Sequence, residues 1–79
     1  MEAFVLIIGD TSPATGLISS LQETPHVVEA RTVYGVYDVV VKIKADDNEQ
    51  MKKTLRDIDR LNAVKNVTIL NIEEGVVKQ

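Results

Sequence analysis

The chain of 79 residues is short enough for one domain, and its composition of 44% hydrophobic residues is that of an ordinary globular protein. It has no cysteine and a single histidine, His26, which excludes disulfides and thiolate metal sites and leaves no histidine cluster to hold a metal. The formal net charge is −3 and the nine basic residues are spread along the chain, which argues against direct DNA binding. No apolar stretch approaches the length of a membrane span, so we expect a cytoplasmic protein.

The first predicted element is a strand over residues 3–9, a continuous apolar run bounded by Gly9-Asp10. Its β-branched content favours a strand over a helix. Because the apolar residues do not alternate with polar ones, both faces of this strand are expected to be covered.

A helix is predicted next, with Ser12 as its N-cap and Pro13 at its first position. It ends at Thr24-Pro25, because a residue that precedes proline disfavours helical geometry. Gly16 weakens this helix, and we expect close packing on the sheet to be the reason for it. The apolar residues at helical spacing are Ala14, Leu17, Ile18 and Leu21.

Two strands are predicted over residues 27–34 and 36–44, and so short a link at Gly35 predicts an antiparallel hairpin. In the second strand, Tyr37 falls in the alternating apolar set that is expected to face the helices. Asp38 falls in the other set, close to the turn. A carboxylate followed by three valines is unusual in an apolar hairpin, and it indicates either a solvated or ion-paired strand end or a ligand contact.

The second predicted helix begins after Asp47, which fits an N-cap with Gln50 as its capping-box partner. Its apolar face is formed by Met51, Leu55, Ile58 and Leu61. The last strand is predicted over residues 64–72, and residues 73–79 are expected to leave the sheet.

The element order βαββαβ predicts an α+β, ferredoxin-like fold, with a four-stranded antiparallel sheet of order 4-1-3-2 and two helices on one face. The helices would cover only one face of the sheet, yet Phe4, Leu6 and Ile8 of the first strand alternate with Ala3, Val5 and Ile7, so both sets are apolar and the uncovered face is expected to expose apolar residues. An exposed apolar patch of this size predicts a homodimer that packs sheet to sheet.

Catalysis is poorly supported, because no nucleophile has an adjacent base and no tuned acid–base pair is evident. Asp38 near Gly35 offers a different chemistry. A carboxylate is a good partner for an amino group, and glycine lets a ligand approach the backbone N–H groups closely. Together they suggest a site for an amino-acid zwitterion.

Residues 35–43, which begin Gly-Val-Tyr-Asp and are followed by Asp46-Asp47, resemble the G-x-Y-D signature of the Lrp/AsnC effector-binding (RAM) domain. The segment 61–64 and Thr68 in the last strand resemble that family's Leu-Pro-Gly-Val segment and the threonines after it, although Asn62 and Ala63 replace the proline and glycine. The resemblance covers nearly the whole chain. Because the sequence begins at the first strand, it is similar to stand-alone RAM modules that lack the helix-turn-helix domain, and residues 1–79 are predicted to form a single RAM-like ligand-binding domain.

The resemblance implies a module that binds an amino acid or related small effector. From the residues themselves, no cofactor, no metal and no enzymatic activity are expected. The resemblance also implies dimers that assemble into rings of eight or ten chains, with effectors bound at the contacts between dimers, and co-assembly with full-length Lrp/AsnC transcription regulators. The ligand-binding residues that it implies are Thr32, Tyr34, Gly35, Tyr37, Asp38 and Thr68.

Two other functions stay open from the sequence. One is a small dimeric ferredoxin-like enzyme of the monooxygenase or stress-response barrel type, which needs a polar pocket between sheet and helices. The helix-facing strand positions here are apolar, which counts against it. The other is a structural oligomer without a ligand.

Overall fold

The structure is a computed structural model that describes residues 1–72. Its elements are β1 (Glu2–Gly9), a 3-10 helix (Pro13–Thr15), α1 (Leu17–Glu23), β2 (Val27–Thr32), β3 (Val39–Lys44), α2 (Asn48–Asp59) and β4 (Val64–Ile72). The expectation that residues 73–79 leave the sheet lies outside the described residues. Neither α-helix in the described part is long and apolar enough to cross a membrane.

The four strands form one antiparallel sheet in the order β2-β3-β1-β4, which confirms the predicted order 4-1-3-2 and the ferredoxin-like α+β fold. β1 is central because both of its edges are paired. Ile7 lies opposite Val39 of β3 on one side and opposite Val67 of β4 on the other. The pairing makes β1 a central strand, although the helices cover only one of its two apolar faces.

The core lies between the sheet and both helices. Alternate strand residues on the helix side are fully buried: Ala3, Val5 and Ile7 of β1, and Val39, Val41 and Ile43 of β3. They belong to one cluster with Leu17 and Leu21 of α1 and Met51 and Ile58 of α2. The intervening residues Phe4, Leu6 and Ile8 are only half-buried on the opposite side, here called the open face. Both helices therefore cover one face of the sheet, as predicted.

The predicted first helix is interrupted at Gly16. This residue adopts the left-handed conformation, with φ of 65°, and separates the 3-10 helix from α1. Close packing is not the reason for the glycine, since a Cβ there would meet nothing within 4 Å. Ala14, predicted on the apolar face, is exposed in the 3-10 turn. Ser12 occupies the N-cap position, but its side chain makes no capping hydrogen bond.

The connection between β2 and β3 is longer than predicted. The strands end at Thr32 and resume at Val39, and the Val33 N–H donates to the Asp38 carbonyl at 2.9 Å to close the loop. Gly35, with φ of 122°, lies inside this loop instead of forming the whole link. The antiparallel pairing itself is confirmed.

The start of α2 follows the predicted capping pattern. The Asp47 side chain accepts a 2.9 Å hydrogen bond from the Gln50 N–H, and the Gln50 side chain accepts one from the Asp46 N–H. Two backbone donors at the helix start are thereby satisfied by side chains.

Candidate functional site

A pocket of about 370 Å³ lies at the end of the sheet where β1 leaves it and the β2–β3 loop begins. Its lining residues are Thr11, Thr32, Val33, Tyr34 and Asp38. The antiparallel register explains this juxtaposition, because Ile7 near the end of β1 pairs with Val39 at the start of β3. Three of the predicted site residues therefore share one pocket.

Asp38 is fixed by the surrounding backbone. Its Oδ2 accepts a 2.9 Å hydrogen bond from the Gly9 N–H, and its own N–H donates to the Ile7 carbonyl at 2.8 Å. Its carbonyl accepts from Val33, as described above. Among the hydrogen bonds of residues 1–72, none uses the second carboxylate oxygen, Oδ1. The side chain thus has a structural role through one oxygen and keeps the other available at the pocket.

Apolar side chains and main-chain atoms are both exposed at the tip of the β2–β3 loop. Tyr34 is fully exposed, and Val36 is 79% exposed. Gly35 between them has no atom within 4 Å of the position where a Cβ would lie. A ligand or a second protein chain has free access to the main chain here.

Tyr37 lies differently from its predicted position. Residue 37 precedes β3, so the strand alternation that placed its ring toward the helices does not apply. Its hydroxyl lies 3.5 Å from the Thr68 Oγ1, and Thr68 pairs with Leu6 on the open face. Because β1 lies between β3 and β4, the Tyr37 side chain reaches across the end of β1.

The six predicted site residues therefore fall into separate places. Thr32, Tyr34 and Asp38 line the pocket, while Tyr37 and Thr68 contact each other over β1, and Gly35 stands at the loop tip. Thr11 and the Gly9 N–H were not among the predicted site groups. Both follow from topology, since the predicted order 4-1-3-2 puts the end of the first strand beside the start of the third.

A second hollow, of about 420 Å³, opens on the other side of the β1 end, between Asp10, Thr15 and Lys65. The Ser12 backbone N–H bonds the Asp10 carboxylate, and together with the Ser12 side chain and the Lys65 charge it holds the pKa of that carboxyl below its ordinary value. The Asp10 N–H also donates to the Ala63 carbonyl at 3.0 Å, which ties this end of β1 to the segment before β4. Within residues 1–72, no group of three or more acidic or histidine side chains is placed to hold a metal ion.

Comparisons with known proteins agree with the observed fold. A sequence model described as the Lrp/AsnC ligand binding domain matches residues 2–77 of the chain. A search of curated proteins finds no match. Among solved structures, TTHA0845 from Thermus thermophilus is 27% identical with a TM-score of 0.83, and the match covers 98% of both chains.

Two larger regulators share the fold. Escherichia coli AsnC is 16% identical with a TM-score of 0.81, over 99% of this chain and 54% of that one. The transcriptional regulator NMB0573 from Neisseria meningitidis, in complex with L-Met, is 14% identical with a TM-score of 0.75, over 92% of this chain and 50% of that one. The chain thus spans about half the length of each, and at these identities the likeness concerns the fold alone.

Proposed function

Because the chain belongs to the Lrp/AsnC ligand-binding domain family, we propose that it is an effector-binding module whose ligand is an amino acid held at the pocket of Asp38. The observation that carries this proposal is the fixed carboxylate. Asp38 is oriented by the Gly9 N–H through Oδ2, while Oδ1 has no partner among the described residues. An α-ammonium group is the natural donor for that oxygen, since hydrogen bonds between two charged groups are stronger than neutral ones.

The other pocket residues supply what the rest of a zwitterion needs. The hydroxyls of Thr11 and Thr32 and the accessible backbone near Gly35 offer donors to a carboxylate. Val33 and the Tyr34 ring offer apolar contacts to a side chain. A volume of about 370 Å³ lies at the lower end of the range of about 300–1,000 Å³ for ligand pockets, which suits a small molecule.

The pocket in one chain covers such a ligand only in part. The lining residue Tyr34 is fully exposed, so the pocket is open to solvent on that side. A bound small molecule usually has about 70–90% of its surface buried. A second chain that packs on the β2–β3 loop would complete the enclosure. This supports the expectation from the family resemblance that effectors bind at contacts between dimers.

The open face supports a homodimer. It presents the apolar residues Phe4, Leu6, Ile8, Val40 and Leu70, of which Leu70 is 50% exposed. Towards β2, Phe4, Val40 and Lys42 border a hollow of about 220 Å³ together with Glu29, Arg31 and Val33. Burial of apolar surface contributes about 25 cal/mol of favourable free energy for each Å² removed from water. Two copies packed face to face bury this surface most simply.

Assembly gives the module a route to regulation. NMB0573 was solved with L-methionine, and AsnC contains a region of this fold within a chain about twice as long. We propose that effector binding shifts the balance among dimers, larger rings and mixed assemblies with full-length Lrp/AsnC regulators, and that the module itself neither binds DNA nor catalyses a reaction. The cytoplasmic location expected from the sequence belongs to this proposal.

No observation favours an enzyme of the monooxygenase or stress-response barrel type. Such an enzyme needs a polar pocket between the sheet and the helices. The helix-facing residues of β1 and β3 are all apolar and have 0% exposure, so in the described part of the chain that space is filled.

A thermal-shift screen of the twenty amino acids tests the proposed function. A ligand at 100 times its Kd adds about 2.7 kcal/mol of stability, which raises the Tm of a domain of this size by roughly 10 °C or more. The matched variants are Asp38→Asn, which should abolish the response, and Asp46→Asn, an exposed aspartate that should retain it. No response to any amino acid, or an equal response of both variants, contradicts the proposal.

Light scattering during size exclusion tests the assembly. We expect a mass of at least two chains, and a monomer at all concentrations contradicts the packing proposed for the open face.

A further inference from the structure

The charge of the Asp38 pocket is unbalanced within its own walls. Asp38 is the charged residue among those that line the pocket in the described part of the chain, and the others are neutral. The segments that build the pocket, residues 7–12 and 32–38, contain no lysine, arginine or histidine. Neither of the two ion pairs within residues 1–72 includes Asp38. The pocket therefore holds one negative charge that none of its lining side chains neutralises.

Two basic side chains lie close to these segments, and each has an acidic neighbour of its own. Arg31 precedes the β2–β3 loop, pairs with Glu29 and borders the hollow on the open face. Lys65 lies with Asp10 at the second hollow, on the other side of the β1 end. Both cations are thus balanced outside the pocket, and the charge of Asp38 is left for a ligand.

The net charge of the ligand decides how much charge is enclosed together with Asp38. A neutral amino acid is a zwitterion, so its complex with Asp38 keeps one negative charge, and an acidic amino acid leaves two. A basic amino acid, whose side chain adds a second cation, makes a complex without net charge. Removing an unbalanced charge from water costs free energy, so the difference grows as the site becomes more enclosed.

Tyr34 provides a place for the second cation. Its ring is fully exposed and belongs to the lining of the same pocket. The face of a tyrosine ring attracts ammonium and guanidinium groups. Because the Gly9 N–H occupies Oδ2 of Asp38, one carboxylate oxygen remains for the α-ammonium group. A cation on the ligand's side chain therefore needs a different contact, and the Tyr34 ring supplies it.

We propose that this pocket selects cationic amino acids, whose side chains end in an ammonium or guanidinium group, over neutral and acidic ones. The α-ammonium group binds Asp38, and the cation of the side chain lies over the Tyr34 ring. Acidic amino acids are excluded most strongly, because they bring a further negative charge to Asp38. This inference rests on the proposed effector site and adds the chemical class of its ligand.

Calorimetry with two matched pairs of ligands tests the charge preference. Norleucine resembles lysine without the terminal ammonium group, and glutamine resembles glutamate without the negative charge. Lysine should bind about tenfold more tightly than norleucine, and glutamate about tenfold more weakly than glutamine. The advantage of lysine should shrink as the salt concentration rises from about 0.02 M to about 0.5 M, since salt screens the attraction between charges.

Two variants at the loop tip locate the preference. Tyr34→Leu removes the ring, so it should lower the affinity for lysine more than that for norleucine and reduce the advantage of lysine about threefold. Val36→Lys adds a cation at an exposed position of the same loop, and it should weaken lysine binding and strengthen glutamate binding about threefold each. Val28→Lys is the matched control, since Val28 is also exposed but lies at the far end of β2, and it should change neither.

The outcomes separate this inference from the proposed function. If lysine binds no more tightly than norleucine, and norleucine binding is lost in Asp38→Asn, the charge preference is overturned and the effector site stands. An unchanged ratio of lysine to glutamate affinity in Val36→Lys also overturns the preference. If none of the four ligands binds, the preference fails, and the thermal-shift screen of all twenty amino acids decides the proposed function separately.

Discussion

The Asp38 carboxylate and the Gly9 backbone N–H, which are 29 positions apart in the chain, are joined by a 2.9 Å hydrogen bond. The bond connects the start of β3 to the end of β1 at the rim of the candidate pocket. It orients the side chain that we propose as the effector anchor. The same carboxylate therefore contributes to stability and to the proposed ligand binding, and substitutions at Asp38 must be chosen to separate the two.

Asp38→Ala should destabilise the domain by about 1–3 kcal/mol, because the partly buried Gly9 N–H loses its acceptor. Asp38→Asn keeps an oxygen in place and should cost no more than about 1 kcal/mol. Urea denaturation of both variants measures the difference. Equal stability of the two variants would show that the hydrogen bond to Gly9 contributes nothing.

Gly9→Ala should destabilise the fold by about 1–3 kcal/mol, since its Cβ would lie 2.4 Å from the Ala63 carbonyl oxygen, a backbone atom with little freedom to move. Gly16→Ala should also be destabilising, by about 1–2 kcal/mol, but through its left-handed φ of 65° and without a clash. Asparagine distinguishes the two causes in thermal denaturation. It tolerates the left-handed region, so Gly16→Asn should recover stability relative to Gly16→Ala, whereas Gly9→Asn should be at least as unstable as Gly9→Ala. Recovery at Gly9 would contradict the steric explanation.

Asp47→Ala should cost about 1 kcal/mol, the usual effect of removing an N-cap side chain, because the Gln50 N–H loses its acceptor. Asp46→Ala is the matched control, since only the backbone of Asp46 takes part in the cap. Its effect should stay within about 0.5 kcal/mol. Chemical denaturation monitored by circular dichroism compares them, and a larger loss for Asp46→Ala would contradict the assigned cap.

Asp10 should contribute a pH-dependent part of the stability. Its pKa is lowered in the folded chain, chiefly by the Ser12 backbone N–H, so the contribution is present above the ordinary aspartate pKa of about 4. It is lost as the pH falls through the lowered folded value. The stability difference between wild type and Asp10→Asn should therefore be largest near neutral pH and shrink below about pH 4. A difference that is independent of pH would contradict this assignment.

Much of the fold was predictable because the local signals agree with one another. The unbroken apolar run of β1, the alternation in β3 and the Asp47–Gln50 cap all lead to the same βαββαβ order, and each is confirmed. The errors concern features set by distant contacts or by backbone geometry. The sequence does not show whether Gly16 is present for packing or for a positive φ. The β2–β3 loop is set by the bonds of Asp38 to Val33 and Gly9, and neither bond is visible in the local pattern.

The candidate site was predictable to a smaller extent. The Tyr-Asp motif indicated Asp38 and its neighbours, and the structure places Thr32 and Tyr34 around the same pocket. The position of Tyr37 was wrong because strand alternation was extended past the start of β3. Thr11 belongs to a different segment, so it enters the site only when the sheet order is used to align strand ends.

Isothermal titration calorimetry with the amino acid that gives the largest thermal shift, and with its analogue lacking the α-amino group, tests the central claim most directly. The account predicts saturable binding of the amino acid to the wild-type chain, at least about tenfold weaker binding of the analogue, and an equally large loss for the amino acid in Asp38→Asn. Binding of the amino acid to Asp38→Asn with wild-type affinity, or equal binding of the analogue, would contradict an effector site built on Asp38.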